Sequence, residues 1–280
     1  MTGGNGRRKI GTLLIIGGAE DPDDDNLKIL PHLVKLAGGK RARIIVCAAA
    51  TAEPEESLRN YRKVFEQLGV KEVVEAPFED RCEGEDPALL AALDRATAVF
   101  LIGGDQLRIT SLLSGTPFDH RLRERFASEK LVVAGTSAGA AAMSSTMIIR
   151  GKGDTVRRCA VELAPGLGYM RDMTIDTHFD RRGRIQRVMA IFAQNPATVG
   201  IGIDSNTAIE VRPSDRFEVL GSGVVFVFDG RVSHTNAASV DEQAPLALTD
   251  AKVHVLPAGY GFSLRTKRPI IPKQSRESGD

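Results

Sequence analysis

The chain has 280 residues, 42% hydrophobic and 26% charged, enough to bury an ample core as one large domain or one domain with a small appendage. Thirty-seven basic residues against 36 acidic ones leave a net charge of +1, which excludes a bulk electrostatic drive toward nucleic acid or an anionic membrane. No apolar run nears the roughly 20 residues that span a bilayer. Residues 1–8, Met1 to Arg8, read as a flexible lead-in without the apolar segment of a secretory signal. Three cysteines far apart, Cys47, Cys82 and Cys159, predict buried thiols in a reducing cytoplasm rather than a disulfide framework or a zinc site, so no metal or other cofactor is expected.

Taken in order, the first half alternates strands and helices. Leu13 to Ile16 reads as a buried strand ending in Gly17-Gly18, and Arg43 to Ala48 as a second. A helix from Glu53 to Leu68 carries Leu58, Tyr61, Val64, Phe65 and Leu68 on one stripe and stops at Gly69. Glu72 to Ala76 is a short strand. Asp86-Pro87 is a cap followed by a first-turn proline, opening a helix to Ala96. Val99 to Ile102 ends in Gly103-Gly104, and two helical stretches lead to the strand Leu131–Ala134. This alternation predicts a parallel sheet covered on both faces, with ligands at the carboxyl ends of its strands. In the second half, Met173–Thr177 leads into His178, and a helix covers Gly183–Ala193. Thr198–Asp204, Thr207–Val211, Phe217–Leu220 and Val224–Phe228 follow at hairpin spacing, so antiparallel strands either extend the sheet or build a second one. One α/β domain over 9–265, then a loose tail over 266–280, is the expected organisation.

The chemistry centres on Gly135-Thr136-Ser137-Ala138-Gly139, between the strand Leu131–Ala134 and the small residues Ala140-Ala141-Ala142-Met143. A strand, a Gly-x-Ser-x-Gly turn and a small-residue helix are the parts of a nucleophile elbow, which holds a serine hydroxyl clear of the backbone. The alternative is a glycine-rich turn with an incidental serine. A serine nucleophile needs a base, usually histidine. His32 and His120 sit in helical surroundings, and His234 and His254 in the C-terminal β region. His178 instead closes a strand and opens the polar loop Asp176-Thr177-His178-Phe179-Asp180-Arg181-Arg182-Gly183-Arg184, with Arg187 one turn on. Arg184 and Arg187 share a helix face and, with Arg182, form a local basic cluster suited either to clamping carboxylates or to a solvated helix face. The acidic run Glu20 to Asp25 lies just ahead of a helix and reads as dipole matching rather than a metal site, and Gly17-Gly18 is a weak nucleotide signal.

Five pieces run in one order over residues 10–265: Leu14-Ile15-Ile16-Gly17-Gly18-Ala19-Glu20-Asp21; Gly103-Gly104-Asp105-Gln106; Gly135 to Ala140; Asp176-Thr177-His178-Phe179 with Arg181 to Arg184; and Gly200-Ile201-Gly202-Ile203-Asp204 with Asn206-Thr207-Ala208. Together they resemble the cyanophycinase branch of a serine peptidase family that also contains aspartyl dipeptidases. The resemblance implies a flavodoxin-like α/β sandwich, similar to class I glutamine amidotransferase domains, with a mostly parallel sheet and additional C-terminal antiparallel strands. It implies Ser137 as nucleophile and His178 as base, with the Ala138 N–H and one from Gly104 as oxyanion hole. Gln106, Asp176, Thr177, Arg182, Arg184 and Arg187 would line the substrate pocket, and a homodimer is implied. The family's substrate is cyanophycin, a polyaspartate with arginine on each β-carboxyl, cut to β-aspartyl-arginine.

Two positions depart from the family pattern. Thr177 stands where glutamine is usual, and Ser205 stands where relatives carry the glutamate that completes the triad. A serine hydroxyl accepts the imidazole N–H but brings no charge. Asp204 and Asp176 are the alternative acids, the first pointing to the opposite strand face and the second requiring a rearranged loop. Three readings follow: a cyanophycin exopeptidase, a dipeptidase or isopeptidase on short aspartyl or β-aspartyl peptides, and a catalytically impaired peptide-binding relative.

Overall fold

Strand β1 (Thr12–Ile16) is followed by α1 (Ile29–Leu36), β2 (Arg43–Cys47), α2 (Pro54–Gln67), β3 (Glu72–Ala76), α3 (Pro87–Arg95), β4 (Ala98–Leu101), α4 (Gln106–Leu113), α5 (Pro117–Ser128) and β5 (Val132–Thr136). The computed structural model describes residues 11–19, 29–151, 155–181, 183–229 and 232–272. Local chemistry sets the helix ends. Asp86 accepts from the Ala88 N–H at 3.0 Å and Asp105 from the Leu107 N–H at 2.8 Å, capping α3 and α4. Gly69, in the left-handed region at φ 86°, ends α2. The five strands are parallel in the order β1-β5-β4-β2-β3, so the crossover from β1 to β2 skips two positions and leaves β5 beside β1.

The second half adds α6 (Ala138–Ala141), β6 (Thr146–Gly151), β7 (Val161–Pro165), β8 (Met173–Thr177), α7 (Arg184–Gln194), β9 (Val199–Ile203), β10 (Thr207–Arg212), β11 (Arg216–Gly221) and β12 (Val224–Asp229). The short strands β13 (His234–Thr235) and β14 (Leu248–Thr249) pair with each other, and β15 (Lys252–Pro257), β16 (Gly261–Ser263) and β17 (Arg268–Ile270) follow. Both expected uses of the hairpin strands occur. β10, β11, β16 and β17 extend the main sheet antiparallel to nine strands, while β15-β12-β9-β8 form a second sheet of four.

Three details differ from the sequence expectation. The helix after the elbow is a single turn, because the carbonyls of Ala142 and Met143 accept from Leu167 and Met170 instead of continuing it. β17 lies within the expected loose tail; its residues are exposed and carry no alternating pattern, but their backbone pairs with β16. The β6–β7 hairpin, with a register irregularity between Ile148 and Arg150, lies in a stretch between the elbow and Met173 where the sequence reading places no element.

The central parallel strands β1, β2, β4 and β5 bury both faces, as parallel strands under helices must. Leu14 and Ile16 of β1 pack with Leu33, Leu58 and Phe65 of α1 and α2. Leu13 and Ile15 face the opposite layer, where α3 and α5 supply Leu89, Leu93, Phe118 and Phe126 and the second sheet supplies Ile175, Ile201, Val225 and Val227. The outer side of that second sheet is closed by Val188 and Phe192 of α7, with Phe179 and Phe228. The loops after β8 and β9 are thereby brought to the carboxyl ends of β1 and β5.

Candidate active site

The end of β1 is the strut on which the site is assembled. The carbonyls of three consecutive residues, Ile16, Gly17 and Gly18, accept the backbone N–H groups of Ser137 (3.0 Å), His178 (2.9 Å) and Asn206 (2.8 Å). Three segments distant in sequence are thus held to one another by main chain alone. Gly18 lies at φ 101°, and a Cβ there would stand 2.3 Å from His178 Cε1. Gly18 therefore makes room for the imidazole, while Gly17 makes room for the Asp204 carbonyl, which a Cβ there would meet at 2.0 Å.

The pentapeptide around Ser137 has the strained geometry of an elbow. Ser137 lies at φ 52°, ψ −114°, a conformation costing about 1–3 kcal/mol that only its surroundings can hold. A Cβ on Gly135 would meet the Gly139 carbonyl at 2.6 Å, and one on Gly139 would meet the Leu101 carbonyl at 2.2 Å, so the turn closes tightly against β4. Gly103 brings its loop beneath Ser137, where a Cβ would approach the serine Cβ at 3.2 Å. Ala138 opens the one-turn helix, so its N–H has no intrahelical acceptor.

Ser137 Oγ lies 3.0 Å from His178 Nε2. His178 itself sits in the left-handed region at φ 50°, which turns its ring back over the elbow. Burial, with the charges of Arg181 and Arg184, holds the imidazole below its ordinary pKa, while the nearby Asp180 opposes that shift. A neutral imidazole next to a hydroxyl is the arrangement general-base catalysis needs.

On the other side of the ring, Nδ1 lies 3.1 Å from Ser205 Oγ. Neither acid expected as a substitute is there. Asp176, buried in β8, accepts from Arg184 (3.0 Å) and Arg187 (2.6 Å) through one oxygen, Oδ1. Burial raises its carboxyl above the usual range despite both guanidinium groups. Asp204 turns away, its Oδ2 accepting from the Val224 N–H at 3.0 Å. The carboxylate that does reach Ser205 is Asp180, which sequence reasoning passed over. Its Oδ1 accepts from the Ser205 N–H at 2.8 Å and from the Ser205 hydroxyl at 2.9 Å. Its only sequence signal was membership of the dense polar loop after His178.

The remaining expected residues are placed as follows. The side-chain amide of Gln106 donates to the Ile148 carbonyl, tying α4 to β6. Thr177 is buried at the end of β8, and its N–H donates to Asp176. The helical pair Arg184 and Arg187 is engaged by the protein's own Asp176, not left as a solvated face. Arg182 and the acidic run Glu20 to Asp25 lie outside the described residues. His32 bonds Glu210 at 2.7 Å, and His254 packs on Phe262. Only one cysteine is buried as expected: Cys47, whose thiol burial pushes up to about 12, whereas Cys82 and Cys159 are exposed. Among the described residues no group of three His, Cys, Asp or Glu side chains is arranged to hold a metal, and no helix is long and apolar enough to cross a membrane.

The sequence profile of peptidase family S51 matches residues 13–219. A cyanophycinase of Geminocystis herdmanii is 36% identical over 261 residues, covering 92% of this chain and 96% of that one. Another, of Synechococcus elongatus, is 38% identical over 258 residues, covering 91% of this chain and 80% of its own. Among solved structures, a peptidase from an acI-B1 Actinobacterium superposes with a TM-score of 0.69 at 22% identity, covering 92% of this chain and 98% of the other, a likeness of fold.

Proposed function

The chain belongs to peptidase family S51 and is a serine peptidase; we propose that its substrate is cyanophycin, which it cuts as an exopeptidase to β-aspartyl-arginine. The observation that carries the reading is the 3.0 Å approach of Ser137 Oγ to His178 Nε2 on a strained elbow. In this reading Ser137 Oγ attacks the backbone carbonyl of an aspartyl residue while its proton passes to His178 Nε2. The oxyanion is received by the N–H groups of Ala138 and Gly104. The C–N bond breaks, Nε2 returns the proton to the leaving amine, and water then hydrolyses the ester on Ser137 with His178 again as base. By the resemblance, Gln106, Asp176, Thr177, Arg182, Arg184 and Arg187 would recognise the dipeptide unit. Arginine has five donors, and Asp176 takes one from each of Arg184 and Arg187, so the cluster has donors to offer an aspartyl carboxylate.

Incubation with insoluble cyanophycin should release β-aspartyl-arginine, and Ser137→Ala should abolish release in a folded protein. An intact polymer alongside cleavage of short aspartyl or β-aspartyl dipeptides would assign the chain to dipeptidase chemistry. Saturable peptide binding without any cleavage would make it a silent relative.

A further inference from the structure

The acid missing from position 205 is replaced from a different part of the chain. We propose that Asp180 is the charged positioning residue of this site, acting on His178 through the hydroxyl of Ser205, so that the working unit is Ser137–His178–Ser205–Asp180. The proposal rests on the serine-peptidase reading of Ser137 and His178 given above.

Directionality carries the argument. Asp180 Oδ1 is acceptor-only when ionised, and it lies 2.9 Å from Ser205 Oγ and 2.8 Å from the Ser205 N–H. The backbone bond fixes the carboxylate against residue 205, so the hydroxyl proton of Ser205 is drawn to Asp180. The oxygen of Ser205, left as an acceptor 3.1 Å from His178 Nδ1, then selects the tautomer that carries its proton on Nδ1. Nε2 is thereby free to accept from Ser137, 3.0 Å away. Each link thus orients the next. When Ser137 gives its proton to Nε2, the imidazolium keeps its Nδ1 proton, Ser205 keeps its own, and Asp180 stays ionised as the compensating negative charge. No proton reaches the carboxylate.

The rest of the surroundings agree. Partial desolvation works against ionisation of Asp180, but the two bonds from Ser205 and the nearby His178 hold its carboxyl below the usual range. Arg181 and Arg184 both disfavour a charged His178, so a compensating anion has a definite task there. Neither Asp176 nor Asp204 is available, the first engaged by Arg184 and Arg187 and the second by the Val224 N–H. Asp180 is solvent-exposed, and one hydroxyl separates it from the ring, so water screens its charge. Its removal should therefore cost about 10- to 100-fold in kcat, less than the roughly 10⁴-fold loss when an acid in direct contact is altered.

The test measures cyanophycin turnover and the rate at which a fluorophosphonate labels Ser137, each as a function of pH, in the wild type and in Asp180→Asn. The wild-type acid limb should fall below the ordinary histidine value of about 6.5, because the base stays neutral to lower pH. Asp180→Asn should lower kcat and labelling about 10- to 100-fold and move that limb further down, since it removes a charge that raises His178. Ser205→Ala, which cuts the link but leaves the Asp180 charge in place, should reproduce the loss of rate, and adding Asp180→Asn to it should move the limb down while lowering the rate little more. Ser205→Glu on the Asp180→Asn background should recover much of the rate by placing an acid in contact with Nδ1. A merely structural Asp180 would change KM or Tm and leave the limb in place. If Asp180→Asn does not fold, Ser205→Ala alone must show the loss of rate. An active, labelled wild type whose rate and pH limb are unmoved by either variant overturns the role of Asp180 and leaves the serine reading intact. If the wild type is neither active nor labelled, the serine reading itself fails.

Discussion

Gly18 determines how closely the imidazole of His178 approaches the end of β1, since a Cβ there would lie 2.3 Å from Cε1 and 2.4 Å from Nε2. The residue is also at φ 101°, where any L side chain is strained. Gly18→Ala should therefore displace the ring from Ser137 while the surrounding fold, held by the β1–β5 and β1–β10 ladders, persists. A displacement of about 1 Å at a reacting group costs on the order of 100-fold, so we expect kcat to fall by at least that much with little change in far-UV circular dichroism. Near-wild-type turnover in the alanine variant would show that the ring is positioned by something other than this contact.

At the scale of elements, β8 and α7 are joined by a buried charge cluster more than by the loop between them. Asp176, with its side chain 3% exposed, takes Arg187 at 2.6 Å and Arg184 at 3.0 Å. This cluster was legible only in part. The helical spacing of the two arginines indicated that they share a face, but not that the carboxylate they face is eight and eleven residues back on the preceding strand. Asp180 was illegible for a related reason. Its partner Ser205 is 25 residues away, and nothing local to either residue records that the loops after β8 and β9 meet. Strands and helices with strong periodicity or caps, such as β3 and α3, were read nearly to the residue, whereas backbone-only associations such as β16–β17 left no side-chain trace. Removing Asp176 leaves two guanidinium groups without their shared counter-ion in a mostly buried setting. Asp176→Ala should destabilise the protein by about 3–5 kcal/mol in urea unfolding. A loss under 0.5 kcal/mol would mean that α7 is held by its apolar face alone.

The whole molecule depends on the outer layer of α1 and α2 staying on the main sheet, because β1, the strut of the active site, lies beneath it. Among the described residues, polar ties from that layer to the sheet include Arg62 of α2 to Glu75 of β3 and, next to β1, His32 of α1, which meets the buried Glu210 of β10 at 2.7 Å while Arg212 binds the other oxygen of the same carboxylate at 2.6 Å. The hydrogen bond from His32, reinforced by Arg212 against the cost of burial, lowers the Glu210 carboxyl to about 2. A carboxyl whose pKa falls on folding contributes stability that is present above its unfolded value, about 4.3, and lost as the pH falls toward 2. His32→Ala removes the hydrogen bond that lowers this carboxyl most and should cost about 1–3 kcal/mol near neutrality, the range for a hydrogen bond to a charged group. Because Glu210 becomes neutral in both proteins as the pH drops, the difference between wild type and variant should shrink steadily between pH ~4.5 and pH ~2. Urea midpoints measured from neutrality down through that window test this directly, and a gap that stays constant across it would place the contribution of His32 in packing instead of in its bond to Glu210.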